Sequence, residues 1–281
     1  MKKTYPVMLA YNGDDWTDED LRKDTTYLIS NKINGIRAWG SVVQGKLALA
    51  TRTPHKYIVN RFAQERFCEL KYSLAGYDGE LIIPGCTFHE TSGILRSKND
   101  TRGTEAIWCL FDYIEPGLPY SNRFRPGTSM ISGTHLLKQW IYHAPGYERA
   151  LEAERDLLNT PFEGYMVRDA NANYKFGRTT KKEASLFKLV ATVEDVAEIV
   201  GMSARISEET GKPLDTLGSI TCERVSDGML FSIGTGFTQD QARRWWRDNL
   251  VRLQGTRITF KYKPAMTQDK PAQPVYVSGL P

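Results

Sequence analysis

The feature that most restricts the fold is a short apolar run, Thr26-Tyr27-Leu28-Ile29, broken at once by Ser30-Asn31-Lys32-Ile33-Asn34-Gly35-Ile36-Arg37. The run reads as a buried strand, and the Lys-x-Asn-Gly after it is a favourable hairpin turn. Lys32 therefore leaves an extended segment and enters a glycine turn, from which its amine can reach a pocket. Taken alone it reads as a solvated turn lysine, because lysine is seldom buried without a partner.

Strand-and-turn patterning continues on both sides. Thr17-Asp18-Glu19-Asp20 looks like a helix start with a threonine cap and an acid three residues on. Residues 38–51 alternate loosely around Gln44-Gly45, which predicts two strands and a tight turn. Between residues 54 and 70, Val59, Phe62, Ala63, Phe67 and Leu70 recur at nearly helical spacing, so a helix is expected there. Short strands are expected at residues 79–83 and 107–113, then a proline-rich and glycine-rich surface, then a helix around residues 147–158. Residues 162–169 predict a strand, Asn171-Ala172-Asn173 a turn, and residues 174–190 a strand-rich unit.

Beyond Val190 the pattern changes. Residues 192–202 predict a strand, residues 203–216 a polar loop, and residues 219–235 a hairpin folding back at Asp227-Gly228. Thr238-Gln239-Asp240-Gln241 is a capping box opening a helix with Ala242, Trp245, Trp246 and Leu250, and residues 257–263 form a final strand. Several strands and one helix in this stretch suggest a small Greek-key barrel, with Trp245 and Trp246 as core that caps it. The fold class is α+β, with a boundary that separates residues 1–189 from 190–281.

Composition narrows the function classes. The 281 residues are 41% hydrophobic and 25% charged, ordinary values for a globular protein. No apolar run approaches the length of a membrane helix, and residues 1–6 are basic without an apolar core, so neither a membrane span nor a secretion signal is expected. The formal net charge of +4 permits a polyanion partner without demanding one. Cys68, Cys86, Cys109 and Cys222 are far apart with no Cys-x-x-Cys pair, which argues against zinc and disulfides and for a reducing compartment. Cys109 reads as core. His55, His89, His135 and His143 show no ligand spacing.

Short motifs follow one another in a particular order: Lys32-Ile33-Asn34-Gly35-Ile36-Arg37, Thr51-Arg52-Thr53, Asp78-Gly79-Glu80, Phe111-Asp112-Tyr113, residues 162–168 with Glu163-Gly164, and Phe187-Lys188-Leu189. With Met8-Leu9-Ala10, residues 174–180, Leu217-Gly218-Ser219-Ile220, residues 231–237 and residues 260–263, this order resembles the ATP-dependent DNA ligase family over nearly the whole chain, most nearly its minimal two-domain form in the chlorella viruses. The resemblance implies an adenylylating nucleotidyltransferase domain of antiparallel sheets with flanking helices, followed by an OB-fold β-barrel.

The resemblance also implies roles. Lys32 would be the nucleophile that carries AMP from ATP, and its amine must shed a proton, which neighbouring cations such as Mg²⁺ and Lys188 favour. Phe111 would stack on adenine, Ser30 would help read the adenine edge, and Glu80 would accept from the ribose hydroxyls. Glu163, with Glu80, would hold Mg²⁺ or Mn²⁺, which prefer oxygen ligands. Lys188 would meet the AMP phosphate as a point charge. Arg37 is expected on the nucleotide and nick side. Arg52 and Arg178 would grip the 5′-phosphate of the nick, with Lys181 and Lys182 as further DNA contacts. The implied partner is nicked duplex DNA, met through its backbone, by a monomer in the cytoplasm of a bacterial or virus-infected cell.

Three departures bear on the phosphates. Asn34 stands where the family has Asp, Val190 stands at the second position of a Lys-x-Lys pair, and residues 271–280 lack the arginines of a Pro-Arg-x-Pro tract. Lys270 would substitute only in part. All three changes should weaken handling of ATP more than of the nick, so self-adenylylation is expected to be the slow step. Residues 203–216 lie where the viral ligase carries a longer loop around the duplex, which predicts salt-sensitive binding, with Arg205 and Lys212 among the contributing bases. The rival readings are an RNA ligase or mRNA-capping guanylyltransferase of the same superfamily, and a DNA-binding relic without catalysis.

Overall fold

The computed structural model describes residues 6–13, 21–22, 24–68, 74–124, 136–138, 141–144, 148, 150, 152, 163–263 and 271–280. The helix start at Thr17, Leu70, most of the helix expected at residues 147–158, His135, Phe162 and Lys270 lie outside them. The chain divides into two compact units, residues 1–190 and 191–281.

In the first unit, β1 (Met8–Leu9), β2 (Tyr11–Asn12), β3 (Tyr27–Asn31), β4 (Ile36–Val43) and β5 (Lys46–Ala50) come first. Gln44 and Gly45 between β4 and β5 take φ of 48° and 73°, the left-handed pair that a two-residue hairpin needs. Then follow α1 (Arg61–Cys68), β6 (Tyr77–Ile82), α2 (Phe88–Arg96), β7 (Ile107–Tyr113), α3 (Tyr120–Arg123), β8 (Leu136–Lys138), β9 (Ile141–Ala144), β10 (Gly164–Asp169), β11 (Gly177–Arg178) and β12 (Leu186–Val190). One five-stranded sheet runs β2-β12-β10-β3-β9 and a second runs β5-β4-β6-β7-β8. Their interiors are antiparallel as expected, whereas the β2–β12, β7–β8 and β1–β11 pairs are parallel.

Local chemistry explains the helices. The expected helix from residue 54 begins only at Arg61, because Asn60 caps it, its Oδ1 accepting from Ala63 N–H at 2.9 Å. Val59, assigned to its apolar face, is instead exposed, while Ala63 and Phe67 are fully buried. Helix α2 is an addition to the expected elements, and Thr87 and Glu90 form a reciprocal capping box at its start. Asn60 Nδ2 also donates to Ile94 O, Ser97 O and Asp100 O, which ties the start of α1 to the end of α2. Both helices pack on the second sheet through Phe67, Ile94, Leu95, Leu81 and Trp108.

The second unit contains β13 (Val193–Ile206), β14 (Pro213–Arg224), β15 (Leu230–Ile233), α4 (Gln239–Leu253), β16 (Arg257–Lys263) and β17 (Ala272–Ser278), in sheet order β15-β14-β13-β16-β17. Tyr276 N–H donates to Thr235 O just past β15, linking the two edges. The polar loop expected at 203–216 is mostly strand: β13 runs to Ile206 and β14 starts at Pro213, because cross-strand pairing from Ser203–Ser219 to Ile206–Pro213 overrides the polar composition. The strand at 257–263 is not the last, since residues 272–278 pair with it. The predicted capping box opens α4, with Gln241 N–H on Thr238 Oγ1 and Thr238 N–H on Gln241 Oε1. Trp245 is fully buried against Phe237 and Tyr276, whereas Trp246 is half-buried and donates its indole N–H to Asp215. Among the described residues no helix is long and apolar enough to cross a membrane.

Candidate active site

Strand register builds the first part of the site. Ser30 on β3 faces Met166 on β10, which faces Lys188 on β12, so the three side chains share one face of the first sheet. The alternate row, Ile29, Val167 and Phe187, fills a core on the other face. Gly164 has no room for a side chain, since a Cβ would lie 2.0 Å from Leu189 O. On the other side of β10, Lys32 N–H donates to Gly164 O at 2.7 Å, which sets Glu163, the residue before β10, beside the exit of β3. Lys32 Nζ and Glu163 Oε2 form an ion pair, with about a fifth of the lysine side chain exposed.

The second sheet supplies the next group. Arg37 on β4 lies opposite Glu80 on β6, with Asp78 diagonal to it on the same face. Arg37 forks onto Asp78, Nε to Oδ1 at 2.9 Å and Nη2 to Oδ2 at 2.5 Å, and Nη2 also donates to Met8 O at 2.8 Å. Burial works against the guanidinium charge, but Asp78 outweighs it and holds Arg37 charged. Burial also pushes the Glu80 carboxyl up to about 7, against the pull of Arg37 and Lys32. Gly35 must be glycine for space, as a Cβ would meet Leu81 O at 2.3 Å and Glu80 Cγ at 3.0 Å.

Phe111 owes its aim to a β-bulge. Asp78 pairs with Asp112 but Gly79 pairs with Leu110, which leaves Phe111 as the extra residue on β7. Its half-buried ring lies under the Arg37 guanidinium, whose Cζ is 5.0 Å from the centroid.

The structure thus pairs Lys32 with Glu163, sets Glu80 in electrostatic range of both and of Arg37, and lays Phe111 under Arg37, while Ser30 and Lys188 share one face of the first sheet. Arg52 lies in an exposed turn after β5. Arg178 is exposed on β11 with Nη1 on Ala10 O at 2.5 Å; Lys182 is exposed and Lys181 half-buried in the turn that follows. Cys109, expected as core, is buried, and burial raises its thiol to about 11. Among the described residues no group of three or more His, Cys, Asp or Glu could hold a metal. Glu80 and Glu163 do offer the oxygen donors that Mg²⁺ takes, and that ion commonly uses one or two carboxylates plus substrate phosphates.

Sequence reasoning gave no role to Asp78, Tyr174, Asp112, Arg123 or Arg168. Asp112 sits between Arg123, Nε at 2.8 Å, and Arg168, Nη1 at 2.5 Å, all three buried directly behind the Phe111 bulge. Asp78, Asp112, Arg168 and Tyr174 do fall within the quoted motifs, but only the fold identifies the partners of Asp112, the nearer 11 residues away and the farther 56.

These two units are a nucleotidyltransferase domain followed by an OB-like domain, a pairing characteristic of polynucleotide-joining enzymes. A family model described as DNA ligase OB-like domain matches residues 210–278. A solved chlorella virus DNA ligase-adenylate is 30% identical with a TM-score of 0.52, over 96% of this chain and 97% of that one. Another chlorella virus ligase-adenylate structure is 29% identical with a TM-score of 0.53, over 98% and 97%. A Lig E DNA ligase structure has a TM-score of 0.72 at 22% identity, over 96% and 97%, and bears on the fold alone. No curated protein matches the chain. The chain belongs to the ATP-dependent DNA ligase family, in its minimal two-domain form.

Proposed function

We propose that the protein seals nicks in duplex DNA through a covalent lysyl-AMP at Lys32 and an adenylated DNA end. The observation that carries this reading is the Lys32 amine set against Glu163, together with an aromatic ring at Phe111 held under Arg37, the residue opposite Glu80. In the first step Lys32 Nζ attacks the α-phosphorus of ATP, a P–N bond forms, the bridging P–O bond breaks and pyrophosphate leaves. The ammonium must first give up a proton, and the Glu163 carboxylate already bonded to it is the nearest acceptor. In the second step an oxygen of the 5′-phosphate at the nick attacks the same phosphorus and the P–N bond breaks. In the third the 3′-hydroxyl attacks the activated 5′-phosphorus and AMP departs.

Such transfers ask for positioning and charge neutralisation more than covalent ingenuity. Lys188 would neutralise the α-phosphate, Ser30 would face the adenine edge, and Glu80 would receive the ribose hydroxyls. A divalent cation bound by Glu163 and Glu80 would draw negative charge from the phosphoryl oxygens. Arg52, Arg178, Lys181 and Lys182 would hold the nicked backbone. With Asn34, Val190 and residues 271–280 departing from the family pattern, self-adenylylation is the slower half of the cycle. The reading carries with it a monomer that works in the cytoplasm of a bacterial or virus-infected cell.

The test is incubation with labelled ATP and magnesium, then denaturing electrophoresis and intact mass. A covalent label on the wild type that is absent from Lys32→Ala is expected. No added nucleotide mass, together with failure to close a pre-adenylylated nick, would leave a DNA-binding relic instead.

A further inference from the structure

Five hydrogen bonds close a ring behind the proposed base platform. Met8 N–H donates to the Tyr174 hydroxyl at 2.9 Å, and that hydroxyl donates to Asp78 Oδ2 at 3.2 Å. Asp78 receives the fork of Arg37 at 2.9 and 2.5 Å, and Arg37 Nη2 returns to Met8 O at 2.8 Å. Every member is buried or nearly so: Met8 is 1% exposed, Tyr174 5%, the Asp78 side chain 0% and the Arg37 side chain 18%. Tyr174 is itself gripped, with Arg123 Cζ 5.2 Å from its ring centroid.

Two of the three guanidinium nitrogens of Arg37, Nε and Nη2, are committed inside this ring, and its charge is answered by Asp78. A guanidinium so engaged is poorly placed to be a phosphate clamp. Its Cζ instead lies over the Phe111 ring, 5.0 Å from the centroid, so a base stacked on Phe111 would use the opposite face. An exposed cation resting on an aromatic ring would wander, because the attraction is small. Here the ring of bonds holds it still.

We propose that Tyr174 is a positioning residue for adenine binding: through Asp78 it fixes Arg37, and Arg37 fixes the plane of Phe111. The inference rests on reading Phe111 as the adenine platform. It assigns to the first strand a share in nucleotide binding, since Met8 both opens and closes the ring through its own peptide groups.

The test is a double-mutant cycle on ATP affinity, read by calorimetry in a Lys32→Ala background so that no covalent product forms. Phe111→Leu, Tyr174→Phe and the double variant are compared. Tyr174→Phe is expected to weaken ATP binding about tenfold, the scale of one hydrogen bond to a charged group. In the Phe111→Leu background the same change should cost less than about twofold, because the two act as one unit. Unchanged affinity in Tyr174→Phe, or equal losses in both backgrounds, would overturn the inference while leaving the platform intact. If Phe111→Leu alone left ATP affinity unchanged, the platform reading itself would fall. Should Tyr174→Phe melt below the assay temperature, Asp78→Asn replaces it in the cycle, and additivity there overturns the inference equally.

Discussion

Lys32 and Glu163 meet because β3 and β10 are neighbours: Asn31 pairs with Tyr165, and the residues just beyond that pair carry the amine and the carboxylate together. The contact spans 131 positions of chain. Replacing Glu163 by Gln keeps the shape and removes the charge that orients the amine. Self-adenylylation is expected to fall by about 10²-fold, the usual scale for losing one aligned electrostatic group. Stopped-time measurement of label incorporation checks this; a rate unchanged from wild type would remove Glu163 from the reaction.

Gly35→Ala is expected to damage both stability and adenylylation. The new methyl would meet the Leu81 carbonyl at 2.3 Å, and backbone cannot step aside as a flexible side chain can. Overpacking of this kind costs about 1–3 kcal/mol. Urea unfolding gives the stability, and the first half-reaction gives the chemical effect.

The two halves of the cycle should separate kinetically. Val190 is buried opposite Gly164, so the position of the second lysine is filled by an apolar side chain. Single-turnover rates are expected to be lower for self-adenylylation than for sealing a pre-adenylylated nick. The reverse order would refute the assignment of the three departures to ATP handling.

Binding to a nicked duplex should be steeply salt-dependent. Lys181→Ala with Lys182→Ala is expected to weaken it and to reduce the slope of log Kd against log salt by about 0.9 for each phosphate that is no longer neutralised. Fluorescence anisotropy across a salt series measures the slope. An unaltered slope would take these lysines off the DNA.

Acid should loosen the β14–β15 hairpin. The Arg224 guanidinium forks onto Asp227 and, with Met229 N–H, holds its carboxyl below the usual aspartate range. A depressed native value means that stability is present above the unfolded value and is lost as pH falls through the native one. Hydrogen exchange in the full chain should therefore show the Met229 amide opening more readily as pH drops below about 4, the reference value for aspartate. Asp227→Asn should abolish that dependence.

Much of this fold was legible in local chemistry. The Gln44-Gly45 turn, the strand before Lys32, the Asp227-Gly228 hairpin and the Thr238 capping box are contests within a few residues, so propensity and hydrogen-bonding reach decide them. The stretch at 203–216 reads wrongly for the opposite reason: its polar residues become strand only because β13 and β14 offer each other a ladder. Helix α2 carries its own local signal in Thr87 and Glu90, outside the elements expected from periodicity. The helix expected from residue 54 begins only at Arg61, because Asn60 caps it and is itself fixed by donating to the Ile94, Ser97 and Asp100 carbonyls, far along the chain.

For the site, order along the chain named Lys32, Glu80, Phe111, Glu163 and Lys188 as a set. Only tertiary structure decided how they meet. The Phe111 bulge arises from a register shift against β6, the Lys32–Glu163 pair from the neighbouring of β3 and β10, and the Arg37 setting from a carboxylate, a phenol and a peptide carbonyl that join across three separate strands and a loop. Residue identity determines what chemistry each group can offer, because that resides in its own bonds. Which groups face one another is set by packing and register, which no single stretch of the chain contains.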